Sequence, residues 1–284
     1  MSPPFTLSLP RAGTVSPFVM ASPHSGRDYP REFLNMLACR ERDLRRAEDA
    51  WTDRLYDPAS RAVAAPLLKA RYGRTFVDLN RDPAELDPEV IADLPPRLLS
   101  ERVKAGLGVI PRVATPGVPL YREPLSRLSA EARLRAVHAP YHARLHELLA
   151  AARQANGAAL LIDCHSMPSL PPARGKPAPQ VIIGTRLGKS CAPWVRDVLV
   201  NAFSAHAEVA VDRIYAGGWT TAHHGRPDDG IEAVQIEIDR ALYLDPETLL
   251  PSDEFASTAA MIEAALGTLA AAWYARRPGL LAAE

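Results

Sequence analysis

The sequence predicts an α/β fold, with a mostly parallel or mixed central sheet and helices on both of its faces. Two features indicate this fold. The strand-like segments are continuously apolar, as in strands that are buried on both faces, and helical patterns alternate with them along the chain. The length of 284 residues suits one large domain or two small ones, and we expect a single domain spanning 1–284.

The first elements lie in the N-terminal half. Residues 18–21 form a short apolar run that stops at a Ser-Pro pair, which predicts a buried strand. Apolar residues spaced by three and four within 43–61 predict an amphipathic helix. We expect 66–79 to form a strand pair, or one long strand broken at Gly73. Residues 83–124 are rich in proline and glycine and predict a long loop, whose role as a lid stays open.

The same hydrophobic patterns predict the remaining elements. We predict helices at 131–155, 192–205 and 253–276, and strands at 158–163, 180–184 and 233–238. In open α/β sheets, ligands bind beyond the carboxyl ends of the strands. The residues that follow each strand are therefore the first candidates for a functional site.

Composition excludes several classes of protein. Lys plus Arg equals Asp plus Glu, at 33 each, so no net charge favours nucleic acid or an acidic membrane as a partner. Three widely spaced cysteines argue against a disulfide framework and a cysteine-based zinc site. The first ten residues lack the pattern of a secretory signal, and no uninterrupted apolar run approaches the ~18–20 residues of a spanning helix. We expect a cytoplasmic protein with a small-molecule substrate; a homo-oligomer stays open.

Three predicted strand ends carry polar residues that a core does not need. They supply His24, His165 and Glu237. Each histidine alone could be a capping or core residue, but a glutamate between two isoleucines needs a partner or a function, because burying a carboxylate is costly. Two histidines and a glutamate that converge are typical of a catalytic metal site with an open position for water.

Other polar segments suit an anionic substrate. Asn80-Arg81 follows a predicted strand, and Tyr121-Arg122 lies in the proline-rich segment. An arginine matches a carboxylate with two parallel hydrogen bonds, although a structural ion pair is the alternative for each. His223 and His224 follow two glycines, and on a strand only one of them could face a given site. Phosphate-loop and Gly-x-Ser-x-Gly motifs are absent from the sequence.

Taken together, these segments resemble the N-formylglutamate amidohydrolase family over most of the chain. The matching segments are 22–26 (SPHSG), 49–56, 77–81 (VDLNR), 119–122 (PLYR), 163–166 (DCHS), 217–225 and 235–237 (QIE). Each is weak alone, but seven in this order are specific. The family is in turn similar in fold to the zinc carboxypeptidases and acylases, which are phosphorylase/hydrolase-like α/β proteins.

The resemblance implies roles for the site residues. His24 and His165 would bind one zinc ion, and Glu237 would be the general base. The carboxypeptidases carry a glutamate three residues after the first histidine, where this chain has Arg27. The third ligand would then be Asp49, which matches an aspartate of the family motif, with Asp28 as the fallback.

The resemblance also implies a reaction. The chain would be a linear-amide hydrolase that converts N-formyl-L-glutamate to formate and L-glutamate, late in histidine breakdown. Arg81 and Arg122 would hold the substrate carboxylates, with hydrogen bonds from Asn80 and Tyr121, and His223 would help to stabilise the oxyanion.

Three points stay open within this interpretation. Asp163 could orient a ligating histidine through its other ring nitrogen. Ala222 stands where the family often has an arginine, so one carboxylate contact would be missing or supplied from elsewhere. The alternatives are a zinc hydrolase of the same fold acting on another N-acyl amino acid or a short peptide and, more remotely, a non-catalytic metal-binding protein.

Overall fold

The computed structural model describes residues 3–10, 15–96, 98–172, 175 and 177–276. Its strands are β1 Phe5–Ser8, β2 Phe18–Ser22, β3 Leu67–Ala70, β4 Val113–Thr115, β5 Val118–Pro119, β6 Ala159–Met167, β7 Val181–Gly184, β8 Val209–Val211 and β9 Ile231–Asp239. Its α-helices are α1 Arg31–Asn35, α2 Glu41–Ala47, α3 Thr52–Leu55, α4 Asp57–Ala62, α5 Glu101–Lys104, α6 Arg127–Arg133, α7 Ala139–Asn156, α8 Pro193–Ser204, α9 Trp219–His224 and α10 Phe255–Ala275. A π-helical turn, Leu134–His138, joins α6 to α7.

Seven strands form one mixed sheet, in the order β1-β3-β2-β6-β9-β7-β8. The pairs β2–β6, β6–β9 and β7–β8 are parallel, whereas β7 runs antiparallel to β9. Every residue of β2, β6, β7 and β9 is buried, which explains their continuously apolar stretches. The predicted α/β fold with a mixed central sheet is confirmed.

The chain divides into two compact units. The first comprises 1–6, 23–50 and 69–145, and the second comprises 7–22, 51–68 and 146–284. The first unit contains α1, α2, α5, α6 and the small β4–β5 pair, and the second contains β2, β6 to β9 and α8 to α10. The organisation as a single domain stays a prediction.

Helix α10 is the longest helix of the second unit. By length and composition alone it could cross a membrane, although its sequence contains no uninterrupted apolar run of that length. The same composition is typical of a core helix, and α10 packs against α8 and α4. Residues Ile262, Leu266, Leu269 and Trp273, spaced by three and four, are buried on one face.

Several predicted elements have different boundaries in the structure. The helix predicted at 43–61 is broken into α2, α3 and α4: Trp51 adopts a left-handed backbone conformation (φ 64°) between α2 and α3, and Tyr56 separates α3 from α4. Of the strand pair, or single strand broken at Gly73, predicted at 66–79, only β3 forms: it ends at Ala70, and turns follow. Strand β6 is longer than predicted and includes His165. The predicted loop at 83–124 contains α5, β4 and β5, and Arg97 within it lies outside the described residues.

Candidate metal centre and active site

His24, in the first unit, is held between two carboxylates. Its Nε2 lies 2.7 Å from Oδ1 of Asp78, and its Nδ1 lies 3.5 Å from Oδ2 of Asp49. The backbone amide of Asp49 also donates to the carbonyl oxygen of His24 at 3.0 Å. A histidine whose one ring nitrogen is bonded to a carboxylate presents the other nitrogen to a metal in a defined direction. Nδ1 of His24 and the Asp49 carboxylate are therefore two donors on the same side of the ring.

Asp78 is the group that orients His24. Its Oδ1 also accepts from the backbone amide of Asn80 at 2.9 Å, and its Oδ2 accepts from Nη2 of Arg74 at 2.8 Å. Burial opposes ionisation of Asp78, but the neighbouring side chains of Arg74 and His24 outweigh it and hold the pKa of this carboxyl well below its usual range. Asp78 belongs to the VDLNR segment, yet the sequence pattern did not indicate this role.

In the second unit, strands β6 and β9 bring four polar side chains together. Their parallel register pairs His165 with Glu237 and Asp163 with Gln235. Because alternate residues of a strand share a face, all four lie on the same face of the sheet. Nε2 of His165 lies 3.1 Å from Oδ2 of Asp163, a distance that fits the orienting role predicted for Asp163.

Glu237 is positioned by a chain of two hydrogen bonds. Nε2 of Gln235 donates to Oε1 of Glu237 at 2.8 Å, and the backbone amide of Gly218 donates to Oε1 of Gln235 at 2.9 Å. Gly218 precedes α9, so this bond also satisfies an amide at a helix N-terminus. Gln235 and Glu237 are both buried, with exposed fractions of 3% and 5%. In the sequence, Gln235 stood out only as a neighbour of Glu237, and this role was missed.

The buried residues His24, Asp49 and His165 form a group that could hold a metal ion. Two imidazoles and a carboxylate are the donor types of catalytic zinc sites, which keep a further position open. Asp163, whose Oδ2 lies 3.1 Å from Nε2 of His165, is fully buried, and a nearby cation would offset the cost of burying its carboxylate. Asp28, the fallback ligand, has a side chain that is 57% exposed and lies 4.0 Å from Arg71.

Comparison with known proteins decides the family. The model of the N-formylglutamate amidohydrolase family matches residues 16–244. The chain belongs to this family. The resemblance predicted from the sequence is therefore confirmed, and family membership makes the chain an amidohydrolase.

Individual relatives agree with this assignment. The chain is 35% identical over 201 residues to N-formylglutamate deformylase of Pseudomonas aeruginosa, covering 68% of this chain and 70% of the relative. It is 30% identical over 235 residues to that of Pseudomonas putida, covering 81% and 82%. The crystal structure of N-formylglutamate amidohydrolase from Ralstonia eutropha JMP134 matches with a TM-score of 0.86 at 31% identity, covering 97% and 99%. A gene product of Agrobacterium tumefaciens, 18% identical with a TM-score of 0.70 and 96% of each chain covered, supports the fold alone.

In this amidohydrolase, Asn80 and Arg81 lie in a turn whose backbone carbonyls accept several side-chain hydrogen bonds. Arg81 donates from Nε to the carbonyl oxygen of Leu107 and from Nη1 to that of Asn80, both at 3.0 Å. Nε2 of His142 lies 2.8 Å from the carbonyl oxygen of Leu79, and Nε2 of His138 lies 3.0 Å from that of Arg81. The two histidines thus contact the carbonyls on either side of Asn80.

The other predicted substrate residues differ in their surroundings. The hydroxyl of Tyr121 accepts a hydrogen bond from Nη1 of Arg133 at 2.8 Å. Arg122 is exposed, and its side chain forms no hydrogen bond or ion pair with any residue that the structure describes. His223 lies on α9 rather than on a strand. It is exposed and stacks on Trp219, with ring centroids 4.2 Å apart, whereas His224 is buried.

Proposed function

We propose that this chain hydrolyses N-formyl-L-glutamate to formate and L-glutamate. The observation that carries the proposal is the family match over 16–244, together with relatives named N-formylglutamate deformylase at 35% and 30% identity. The buried polar groups described above supply the residue types that such an amide hydrolysis needs. A cytoplasmic location stays a prediction from the sequence.

The proposed cofactor is one zinc ion held by His24, Asp49 and His165. The donor types fit zinc, and each histidine has a carboxylate at its Nε2, Asp78 for His24 and Asp163 for His165. With its Nε2 bonded to Asp78, His24 offers Nδ1 as the ligand atom. A bound zinc ion polarises an amide carbonyl and lowers the pKa of a water molecule.

Glu237 is the proposed proton carrier. As the oxygen of water forms a bond to the formyl carbon, the carboxylate takes a proton from that water. The carbon–nitrogen bond then breaks, and Glu237 passes the proton to the departing nitrogen, which leaves formate and the free amino group of glutamate. The hydrogen bond from Gln235 to Oε1 orients the carboxylate of Glu237 for this transfer.

The substrate carries two carboxylates, and the chain supplies local cations for them. We assign Arg81 and Arg122 to these carboxylates, with Asn80 and Tyr121 as hydrogen-bond partners and His223 as a stabiliser of negative charge on the carbonyl oxygen. The bonds around Leu79 and Arg81 support a preorganised turn at Asn80. The guanidinium of Arg122 is exposed and therefore accessible to a substrate carboxylate.

The deciding experiment measures formate release from N-formyl-L-glutamate by the purified chain, with a chelator and with zinc restored. We expect release that the chelator abolishes and zinc restores. Glu237→Gln should lower kcat by at least about 100-fold with zinc still bound.

The matched control is Glu232→Gln on the same strand. Glu232 lies an odd number of residues from Glu237 and therefore faces the other side of the sheet, where it accepts from the amide of Ala192 at 2.7 Å. This variant should keep nearly full turnover. Zinc binding without formate release would overturn the substrate assignment, and a panel of N-acyl amino acids and short peptides would then identify the class. Near-full turnover of Glu237→Gln would overturn the role of Glu237.

A further inference from the structure

The first unit contains a cavity of about 780 Å³ that the proposed reaction does not use. Its walls come from the segment around α1, from the turn after β3, and from α6 with the π-helical turn. Aromatic rings from Tyr29, Phe33, Tyr72 and Phe76 line it together with Arg133. Neither the proposed metal ligands nor Glu237, Asn80 or Arg81 are among its lining residues in the described chain.

Arg133 is a buried cation at this cavity. It is 6% exposed, and its guanidinium lies 4.6 Å from the ring centre of Phe76 and 5.3 Å from that of Phe33. Its hydrogen bonds go to neutral acceptors, the hydroxyl of Tyr121 at 2.8 Å and the carbonyl of Phe76 at 3.4 Å. Within the described residues, no carboxylate oxygen lies within 4.0 Å of it, although burying an unpaired charge is costly. The aromatic rings offset only part of that cost.

These features point to the chemistry of a ligand. A guanidinium matches a carboxylate through two parallel hydrogen bonds, and the rings favour a flat or branched apolar body. The other charged residues of the lining are Arg27, Asp28 and Glu32, with a net charge of −1, which disfavours a second carboxylate. Arg133 also directly precedes the π-helical turn, and such turns often occur at functional sites.

We propose that this cavity is a second binding site, selective for small organic monocarboxylates with an aromatic or branched aliphatic body. In the described chain, the cavity lining includes none of the proposed metal ligands, Glu237, Asn80 or Arg81, and its link to the substrate residues is the hydrogen bond from Arg133 to Tyr121. Its anchor is Arg133, and the aromatic walls select the apolar body.

The test is calorimetric titration of the full chain with phenylacetate. We expect one molecule to bind per chain, and the neutral analogue phenylacetamide to bind at least about ten-fold more weakly. Arg133→Met should weaken phenylacetate binding by a similar factor. The matched control is Arg135→Met, because Arg135 lies two residues further on, is 67% exposed, pairs with Glu131 at 3.5 Å and does not line the cavity. It should bind phenylacetate like the wild type.

Two further variants guard against misfolding of Arg133→Met and test whether phenylacetate binds at the substrate site. If Arg133→Met does not fold, Ala132→Trp tests the same cavity, because Ala132 is an exposed lining residue and a tryptophan there should block entry. Arg81→Met and saturating N-formyl-L-glutamate should leave phenylacetate binding unchanged. No binding, equal binding of the amide, or displacement by N-formyl-L-glutamate would each overturn the proposal.

Discussion

Replacing Gln235 by methionine should slow turnover and destabilise the second unit without removing a charged residue. The change deletes the 2.8 Å bond to the Glu237 carboxylate and the 2.9 Å bond from the Gly218 amide. A hydrogen bond to a charged group contributes about 1.5–3 kcal/mol and a neutral one about 0.5–1.5 kcal/mol, so the free energy of unfolding should fall by about 2–4.5 kcal/mol. If the hydrogen bond to the carboxylate serves to position Glu237, its loss of about 1.5–3 kcal/mol in the transition state should lower kcat by about 10- to 150-fold.

Formate release measures turnover, and urea unfolding measures stability. The matched control is Gln180→Met, because Gln180 lies just before β7 and, among the residues that the structure describes, its side chain makes only a 3.4 Å contact with the amide of Glu208. That variant should keep wild-type kcat and most of the stability. A Gln235→Met enzyme with unchanged kcat would refute the idea that this amide positions Glu237. Equal losses of kcat in both variants would point to a general packing effect instead.

Three further predictions concern other parts of the chain. Asp78→Asn should weaken zinc binding about 10- to 100-fold, measured by competition with a chromophoric chelator, because Nε2 of His24 loses its ionised acceptor. Gly184→Ala should lower the free energy of unfolding by about 1–3 kcal/mol in urea, because the added Cβ would lie 2.8 Å from the carbonyl oxygen of Tyr215. Cys39 should be the first thiol alkylated in the native protein, as detected by mass spectrometry, because the other two are buried and burial raises their pKa further from neutrality; earlier labelling of a buried cysteine would contradict this.

Apolar pattern was sufficient to predict the main strands and helices, but not where each one ends. Strand β6 continues through polar residues to Met167, whereas its apolar run stops short, at 163. Those polar residues stay in the strand because β9 pairs with them along its whole length, from Ala159 opposite Ile231 to Met167 opposite Asp239. Pairing between strands so far apart in the sequence is a property of the fold and leaves no local signal.

The break in the helix predicted at 43–61 has a similar origin. A left-handed conformation at a non-glycine residue costs about 1–3 kcal/mol and persists only where other contacts impose it. At Trp51, Nε1 donates to the carbonyl oxygen of Leu249 at 2.9 Å, a contact across 198 residues of sequence. The regular spacing of apolar residues therefore predicted a continuous helix across the break between α2 and α3, which a distant contact stabilises.

Helix α9 was missed for a different reason. It begins after Gly218, without the serine, threonine or aspartate that normally marks the start of a helix. The amide at its N-cap is satisfied from elsewhere, since the Gly218 amide donates to the side chain of Gln235. Without a local cap, the glycines and adjacent histidines indicated a loop or a strand.

The polar positions of β6 and β9 were nevertheless informative as a pair. Asp163 and His165 are two residues apart, and so are Gln235 and Glu237, so each pair must share a face if its segment is a strand. Two such pairs in apolar, parallel strands predict one polar patch, and this spacing alone is enough to indicate Gln235 as a partner of Glu237. The bond between Gln235 and Gly218 joins two different elements across 17 residues. That second bond makes Gln235 more than a neighbour of Glu237, and only the fold reveals it.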